Sequence, residues 1–420
     1  MMKHFENVTF RFARLMQNRT LRSISKSLND NVSFSGHSAA LLSRFETGSM
    51  AVSEAVKEQL FEELHINKDL YYKDIPDFFE QVDFIIHSIL IRDQRYKDNL
   101  NHFLNRFCQE ITQYSVYVWV IEYWELGLDN NYNERYDLLK ETLKYATLQD
   151  KYLAMRTFSE VHYFFRNQDK EQLKVKIDEY MQICQKANLS DLFFGLGYNT
   201  LFSYYYTYTF SPVQAEDAYK KAKAIYEKHQ CEPRLTILNI RYATFKSLNN
   251  EIPKAISILL ELQNLPNLNT NMRSTIYHNL AEMYLCNEQT ALASIYYKKA
   301  YCVEPDISTR FSYAWCIYKL NQPKSKVLSV IRQVKKSKDI RDGFWYLCEW
   351  LRCIIVHEKD SHLHLLEKAS TYFKDNQEIY FIHELMMYEC LRMNNYDACL
   401  SHALSLLNDQ TVFKSIPPKS

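Results

Sequence analysis

Residues 277–305, YHNLAEMYLCNEQTALASIYYKKAYCVEP, decide how the chain folds. Tyr277, Leu280, Ala281 and Tyr284 fall at positions i, i+3, i+4 and i+7, which puts them on one stripe of a helix. Ala293, Tyr297 and Ala300 form a second stripe beyond the break at Asn287, and Pro305 ends it, because proline has no N–H with which to continue a helix. Small residues let two helix backbones cross closely, and aromatic rings fill the space around the crossing. The stretch is predicted to be a pair of packed antiparallel helices.

These eight positions resemble the tetratricopeptide repeat, whose order is aromatic, Leu, small, Tyr, then Ala, aromatic, Ala, Pro. Weaker copies flank it: Ser203, Tyr206, Ala215, Tyr219 and Ala222, then Ala243, Ala255 and Leu259 upstream, and Phe311, Ala314 and Tyr318 downstream. From about residue 80 onward, apolar runs of helical period are divided by short polar breaks such as Asp129-Asn130-Asn131, Asn249-Asn250 and Asn394-Asn395. About seven to nine helix pairs are expected up to residue 412, with divergent ends as solenoids have, and the tail KSIPPKS is expected to fray.

Composition agrees. Six glycines and nine prolines in 420 residues are too few for an all-β chain or a glycine-looped nucleotide fold. Aromatic residues make up 15%, a bulk that needs interhelical burial. A formal net charge of +1 excludes a wholly basic nucleic-acid coat but leaves room for a local patch. The ten cysteines occur singly, without a CxxC pair, and read as small buried hydrophobes of a reducing, cytoplasmic setting rather than as a metal or disulfide framework. No signal peptide or membrane-spanning stretch is expected.

Ahead of the repeats lies a module of short helices, with Phe12, Leu15 and Met16 in the first, Leu21, Ile24 and Leu28 in the second, and Leu41, Leu42 and Phe45 in a third that stops at Gly48. Val52, Val56, Leu60 and Leu64 continue into a further helix, and residues 66–79, with Pro76, form the joint to the repeat helices. The stretch GHSAALLSRFETG, residues 36–48, resembles the helix-turn-helix of lambda-repressor-like regulators at Gly36, Ser38, Ser43, Arg44, Phe45, Glu46 and Gly48. LSRFETGS followed by a helix ending in EELHIN is most similar to the N-terminal domain of Rgg-type regulators.

Ser38 is suited to cap the third helix, which would present Ala39, Ala40, Ser43 and Arg44 to a major groove, with Arg22 and Lys26 beside them. Up to Arg44 the chain has seven Lys or Arg (Lys3, Arg11, Arg14, Arg19, Arg22, Lys26, Arg44) against two acids, and from Phe45 to Leu70 two against six, so the basic side is expected where phosphates are met. Two features depart from the pattern. The link NDNVSFSGH is long for this class, and Ala39 and Ala40 stand where polar residues are usual, which moves base readout onto Ser43, Arg44, Arg22 or Lys26.

The expected fold is all-α, with a helix-turn-helix DNA-binding domain over residues 1–70 and a right-handed α-solenoid of tetratricopeptide-like helix pairs over residues 71–420. This combination resembles the Rgg, PlcR and NprR group of peptide-responsive regulators. The resemblance implies a homodimer that binds double-stranded DNA and a short signalling peptide, the latter in the concave groove of the repeats. Projected from the clear repeat, the groove-facing positions are Thr200, Tyr204, Arg241, Thr244, His278, Asn279, Glu282, Ser312 and Tyr313, while Asn199 and Asn239 fall nearer the packing face. The alternative is a protein-docking module resembling Rap-type inhibitors of response regulators. No cofactor or metal is expected. His362-Leu363-His364 has no carboxylate at ligand spacing, His383-Glu384 has no second histidine, and no nucleophile turn is present, so the chain does not read as an enzyme.

Overall fold

The computed structural model describes residues 5–30, 38–93, 95–128, 134–332, 341–357, 359–373 and 376–408. Lys3, Gly36, the break at 129–131 and the C-terminal tail lie outside these residues. Among the described residues there are 23 helices and no strand. The chain divides into two compact units, Met1–Leu235 and Thr236–Ser420.

The first unit opens with α1 (Glu6–Met16), α2 (Leu21–Asp30), α3 (Ala39–Glu46), α4 (Glu54–Glu63) and α5 (Lys68–Tyr71). Polar caps set where they begin. Ser38 accepts from the Leu41 N–H at 3.1 Å, Ser53 from Val56 at 3.4 Å and Asn67 from Leu70 at 3.1 Å. Gly48, at φ +75°, closes α3 in the left-handed conformation that glycine adopts without strain. Phe10, Ile24, Leu28, Leu42, Phe45, Leu60, Phe61 and Tyr71 form the module's own core, with the Phe10 and Phe61 rings edge to face at 4.9 Å.

Antiparallel pairs come next: α6 (Phe78–Ile91) with α7 (Tyr96–Phe107), α8 (Ser115–Leu128) with α9 (Glu134–Leu143), α10 (Asp150–Arg166) with α11 (Lys170–Lys186), and α12 (Asp191–Thr207) with α13 (Pro212–Lys228). Helix α12 is closely hemmed in. A Cβ on Gly197 would sit 2.2 Å from Met181 Sδ of α11, so a larger residue there would have to displace the flexible Met181 side chain. Helix α14 (Glu232–Leu248) begins in the first unit, where Arg234 donates to the Leu90 carbonyl at 2.9 Å and the Ile89 carbonyl at 2.6 Å and so satisfies the C-terminal end of α6.

The second unit holds the rest of α14 with α15 (Ile252–Leu262), then α16 (Thr270–Cys286) with α17 (Thr290–Val303), α18 (Ile307–Lys319) with α19 (Lys324–Ile331), α20 (Arg341–Val356) with α21 (Leu363–Ser370), and α22 (Asn376–Arg392) with α23 (Tyr396–Asn408). The alanines expected at crossings, Ala243, Ala255, Ala281, Ala293, Ala300 and Ala314, are fully buried, as are Ala215 and Ala222 in the first unit. Phe311, Trp315, Leu347, Trp350, Leu351 and Met386 fill the core beyond them.

The scarcity of glycine is met at the turns by other residues in the left-handed region. Asn18, Asn188, Asn250, Asn321 and Asn394 are among them, and Gln168, Gln230 and Glu288 share it. At the end of α16, Gln289 N–H donates to the Tyr284 carbonyl at 2.8 Å and Glu288 N–H to Leu285 at 3.0 Å, a closure that places Glu288 at φ 58°. Exposed glutamate gains nothing there, so Glu288→Gly is expected to raise stability by about 0.5–1 kcal/mol in urea unfolding, the left-handed strain relieved less the entropy glycine adds to the unfolded chain. An unchanged midpoint would contradict it.

Candidate functional site

The residues that the sequence singles out fall into two sets, one on the N-terminal module and one on the repeat helices. In the first, α3 turns Leu42, Phe45 and Glu46 inward, leaving Ala40 and Arg44 exposed and Ser43 half-buried on its outer side. Ser38 caps its start and is itself exposed, with Ala39 half-buried behind it. Helix α2 packs against α3 and carries Arg22 and Lys26, both exposed and four residues apart, hence on one face.

The basic count of the sequence shrinks in three dimensions. Arg14 lies buried against Glu46, with Nε at 2.6 Å from Oε1 and Nη2 at 2.7 Å from Oε2, and Arg11 reaches the same carboxylate at 3.3 Å. Arg19 pairs with Glu63 and donates to its carbonyl at 3.1 Å. Three arginines counted toward a phosphate-facing surface are therefore engaged by carboxylates of the protein itself. Arg22, Lys26 and Arg44 remain as its exposed cations without an ion pair among the described residues. Glu46, which the sequence motif presents only as a signature position, turns out to be the acid that holds α1 to α3.

The second set lies on the first helix of successive repeat pairs. In the first unit, Thr200 turns its hydroxyl to the Leu196 carbonyl of its own helix at 3.0 Å, and Tyr204 is only 9% exposed, its ring packed on Tyr205 and Tyr208. In the second unit, Arg241 is exposed and Thr244 half-buried on α14, while Asn279 is half-buried on α16. Ser312 is half-buried on α18, but Tyr313 is 7% exposed and stacks on Tyr301, so its ring serves packing more than it lines a groove.

His278 has the most developed surroundings of this set. Its Nδ1 lies 2.9 Å from Thr309 Oγ1 on α18, its Nε2 lies 3.1 Å from Glu282 Oε1, and its ring meets Tyr297 edge to face at 5.4 Å. Burial pushes the imidazole toward its neutral form, but the Glu282 carboxylate, with Asp306 farther off, outweighs it and holds His278 above the ordinary histidine value. Glu282 and His278, expected as separate contacts, are thus one hydrogen-bonded pair linking α16 to α18.

Further residues of the second unit gather around Tyr318, and of these Trp315, Lys319, Glu384 and Tyr388 carry no signature in the sequence. The Lys319 ammonium sits 5.3 Å from the Trp315 ring centre and 5.1 Å from that of Tyr388, and the Tyr318 and Tyr388 hydroxyls are 3.2 Å apart. Burial raises the Glu384 carboxyl, an effect Lys319 partly offsets. Tyr388 and Glu384 lie on α22, where the repeat pattern has faded, so only their packing against α18 marks them.

No protein-family model matches the chain, and no curated protein matches it. Solved structures do. A Rap protein complexed with competence and sporulation factor is similar with a TM-score of 0.63 at 12% identity, over 80% of this chain and 98% of that one. The apo form of the quorum sensor NprR from B. thuringiensis gives 0.56 at 10% identity, over 79% and 98%. The apo form of RapI gives 0.55 at 13% identity, over 80% and 98%. The chain shares their all-helical, tetratricopeptide-like fold. At these identities the likeness concerns fold, and activity has to be argued from the residues themselves. Among the described residues no helix is long and apolar enough to cross a membrane.

Proposed function

We propose that this chain is a cytoplasmic DNA-binding regulator, acting as a homodimer, whose repeat helices bind a short signalling peptide. The observation that carries the reading is α3: capped by Ser38, anchored from behind by the buried Arg14–Glu46 pair, and facing outward with Arg44, next to Arg22 and Lys26 on α2. A rigid helix with exposed cations and a polar, half-buried Ser43 is what entry into a major groove requires. The repeat helices support the peptide part through fold likeness to a Rap protein complexed with competence and sporulation factor and to the quorum sensor NprR. It works by binding, with no catalytic step.

The test is binding of the purified protein to DNA upstream of its own gene across a salt series. Ser43→Ala/Arg44→Ala is expected to lose specific binding. Arg22→Ala/Lys26→Ala/Arg44→Ala should flatten the slope of log affinity against log salt by about 2.7 per module, roughly 0.9 for each phosphate no longer neutralised. Helical content should be unchanged in both variants, since none of the four side chains belongs to the module core.

A second reading is favoured by the likeness to Rap proteins, the first of which has the higher TM-score of the three neighbours. Here the N-terminal helices dock a protein partner. Absence of DNA binding at low salt, with retained folding, would move the assignment to it.

A further inference from the structure

Glu46 is contacted by two arginines although one suffices. Arg14 alone covers both carboxylate oxygens at 2.6 and 2.7 Å. Arg11 adds a single longer contact, Nη1 to Oε2 at 3.3 Å, and directs its other nitrogens elsewhere. Its Nε donates to the Glu141 carbonyl at 3.2 Å, its Nη2 lies 3.6 Å from the Glu141 carboxylate, and its guanidinium covers the Tyr145 ring at 4.6 Å.

Glu141 sits in the last turn of α9, where carbonyls lose their helical donors. The Tyr145 N–H, which would continue the helical ladder to Glu141, donates to Thr142 instead. Arg11 takes the place of that donor and puts its positive charge at the negative end of α9. One planar guanidinium thus ties the last residue of α3 to the last turn of α9, and its fixed fork makes the tie directional.

The contact beside it is of another kind. Phe12 stacks on Trp119 of α8 at 3.9 Å, and Arg135, itself paired to Glu122 at 2.7 and 3.0 Å, lies over the Phe12 ring at 4.9 Å from its centre. Stacked rings hold α1 against α8 but tolerate sliding, whereas hydrogen bonds to a carbonyl and a carboxylate do not.

We propose that Arg11 is a positioning residue that sets the angle of α3 from the position of α9, so that displacement of the first repeat helices is passed to the DNA-reading face. This rests on the DNA-binding reading above. Arg11 is taken up by Glu46 and Glu141, and Arg14 keeps Glu46 paired without it, so Arg11→Ala is expected to leave the module folded.

The test is hydrogen exchange of the full-length protein, alone and with a duplex of its upstream DNA, for wild type, Arg11→Ala and Arg11→Lys. Without DNA, Arg11→Ala should speed exchange together in the turns after α3 (residues 47–50) and after α9 (residues 144–146), each by about tenfold, the effect of losing a charge-assisted hydrogen bond. With DNA, wild type should gain protection in α3 and also at 144–146. Arg11→Ala should keep the first gain and lose the second. Lysine keeps the charge but cannot reach both partners, so Arg11→Lys should behave as alanine does, which a purely electrostatic role would not produce. Unchanged exchange in both turns, a change in only one, or retained DNA-linked protection at 144–146 in Arg11→Ala overturns the proposal. If wild type binds no duplex, the DNA reading fails, while the DNA-free comparison still decides whether Arg11 links the two turns.

Discussion

Replacing Glu46 by alanine is expected to unfold the N-terminal module while leaving the repeat helices helical. Glu46 is 5% exposed and its partner Arg14 7% exposed. Truncating the acid strands a guanidinium in the core, with only the Arg19 carbonyl, 2.8 Å from Nη1, left to satisfy it. Breaking a buried pair by removing one member costs roughly 3–5 kcal/mol, because the remaining charge stays desolvated. A module of five short helices has about that much stability in total. Limited proteolysis should cut Glu46→Ala between residues 17 and 67 at a temperature where wild type resists, and far-UV circular dichroism should show a lower first transition.

The complementary variant is Arg14→Met/Glu46→Leu, which removes both charges and fills the space. It should recover most of the loss, since an apolar pair carries no desolvation penalty. If Glu46→Ala lowered stability by less than about 1 kcal/mol, the carboxylate would have to be hydrated and the anchor would not exist. That result would also remove the basis for assigning Arg11 a linking role.

The second large effect is expected at Glu389, which is 0% exposed on α22. Arg392 reaches it at 2.7 and 3.0 Å, the His362 backbone N–H donates to Oε1 at 2.8 Å, and the indole N–H of buried Trp350 donates to Oε2 at 3.3 Å. One carboxylate therefore joins α20, the start of α21 and α22. Glu389→Ala leaves an indole N–H and a backbone N–H without their acceptor and a half-buried guanidinium with only the Asp360 carbonyl, 2.6 Å from Nη2, and a loss of about 3–5 kcal/mol in the second unit is expected from urea unfolding.

The same site should give that unit an acid-sensitive step. Burial pushes the Glu389 carboxyl up, but Arg392, the His362 N–H and the Trp350 N–H together hold it below the ordinary glutamate value. A carboxyl whose folded value is depressed contributes stability that is fully present above its unfolded value, about pH 4.3, and lost as pH falls through the folded value. Wild type should therefore lose stability below about pH 4, and Glu389→Gln, already weakened at neutral pH, should lose less over the same range. Equal slopes for the two proteins would show that Glu389 titrates no differently when folded.

Much of the architecture is legible in local sequence. The alternation of Leu280, Ala281, Ala293 and Ala300 names both helices of a pair and the faces they share, and all four are fully buried. Ser38 and Gly48 mark the ends of α3 by the chemistry of caps, and both behave as expected. The asparagine breaks locate several turns, because asparagine tolerates a left-handed residue where glycine is scarce. All of these signals operate within one helical turn or one helix pair, so neighbours in sequence are enough to set them.

Tertiary structure alone decided which charges face outward. Arg11, Arg14 and Arg19 carry the same sequence-level label as Arg22, Lys26 and Arg44, yet their partners Glu46 and Glu63 stand 32 to 44 positions away, and Glu141 stands 130 away from Arg11. It likewise took Tyr204 and Tyr313 into packing, where a projected helical register leaves them facing a groove. The physical reason is common to these cases. Periodicity and caps are fixed by backbone geometry over a few residues, whereas the pairing of a buried charge or the burial of a ring depends on which helix the folded chain brings alongside.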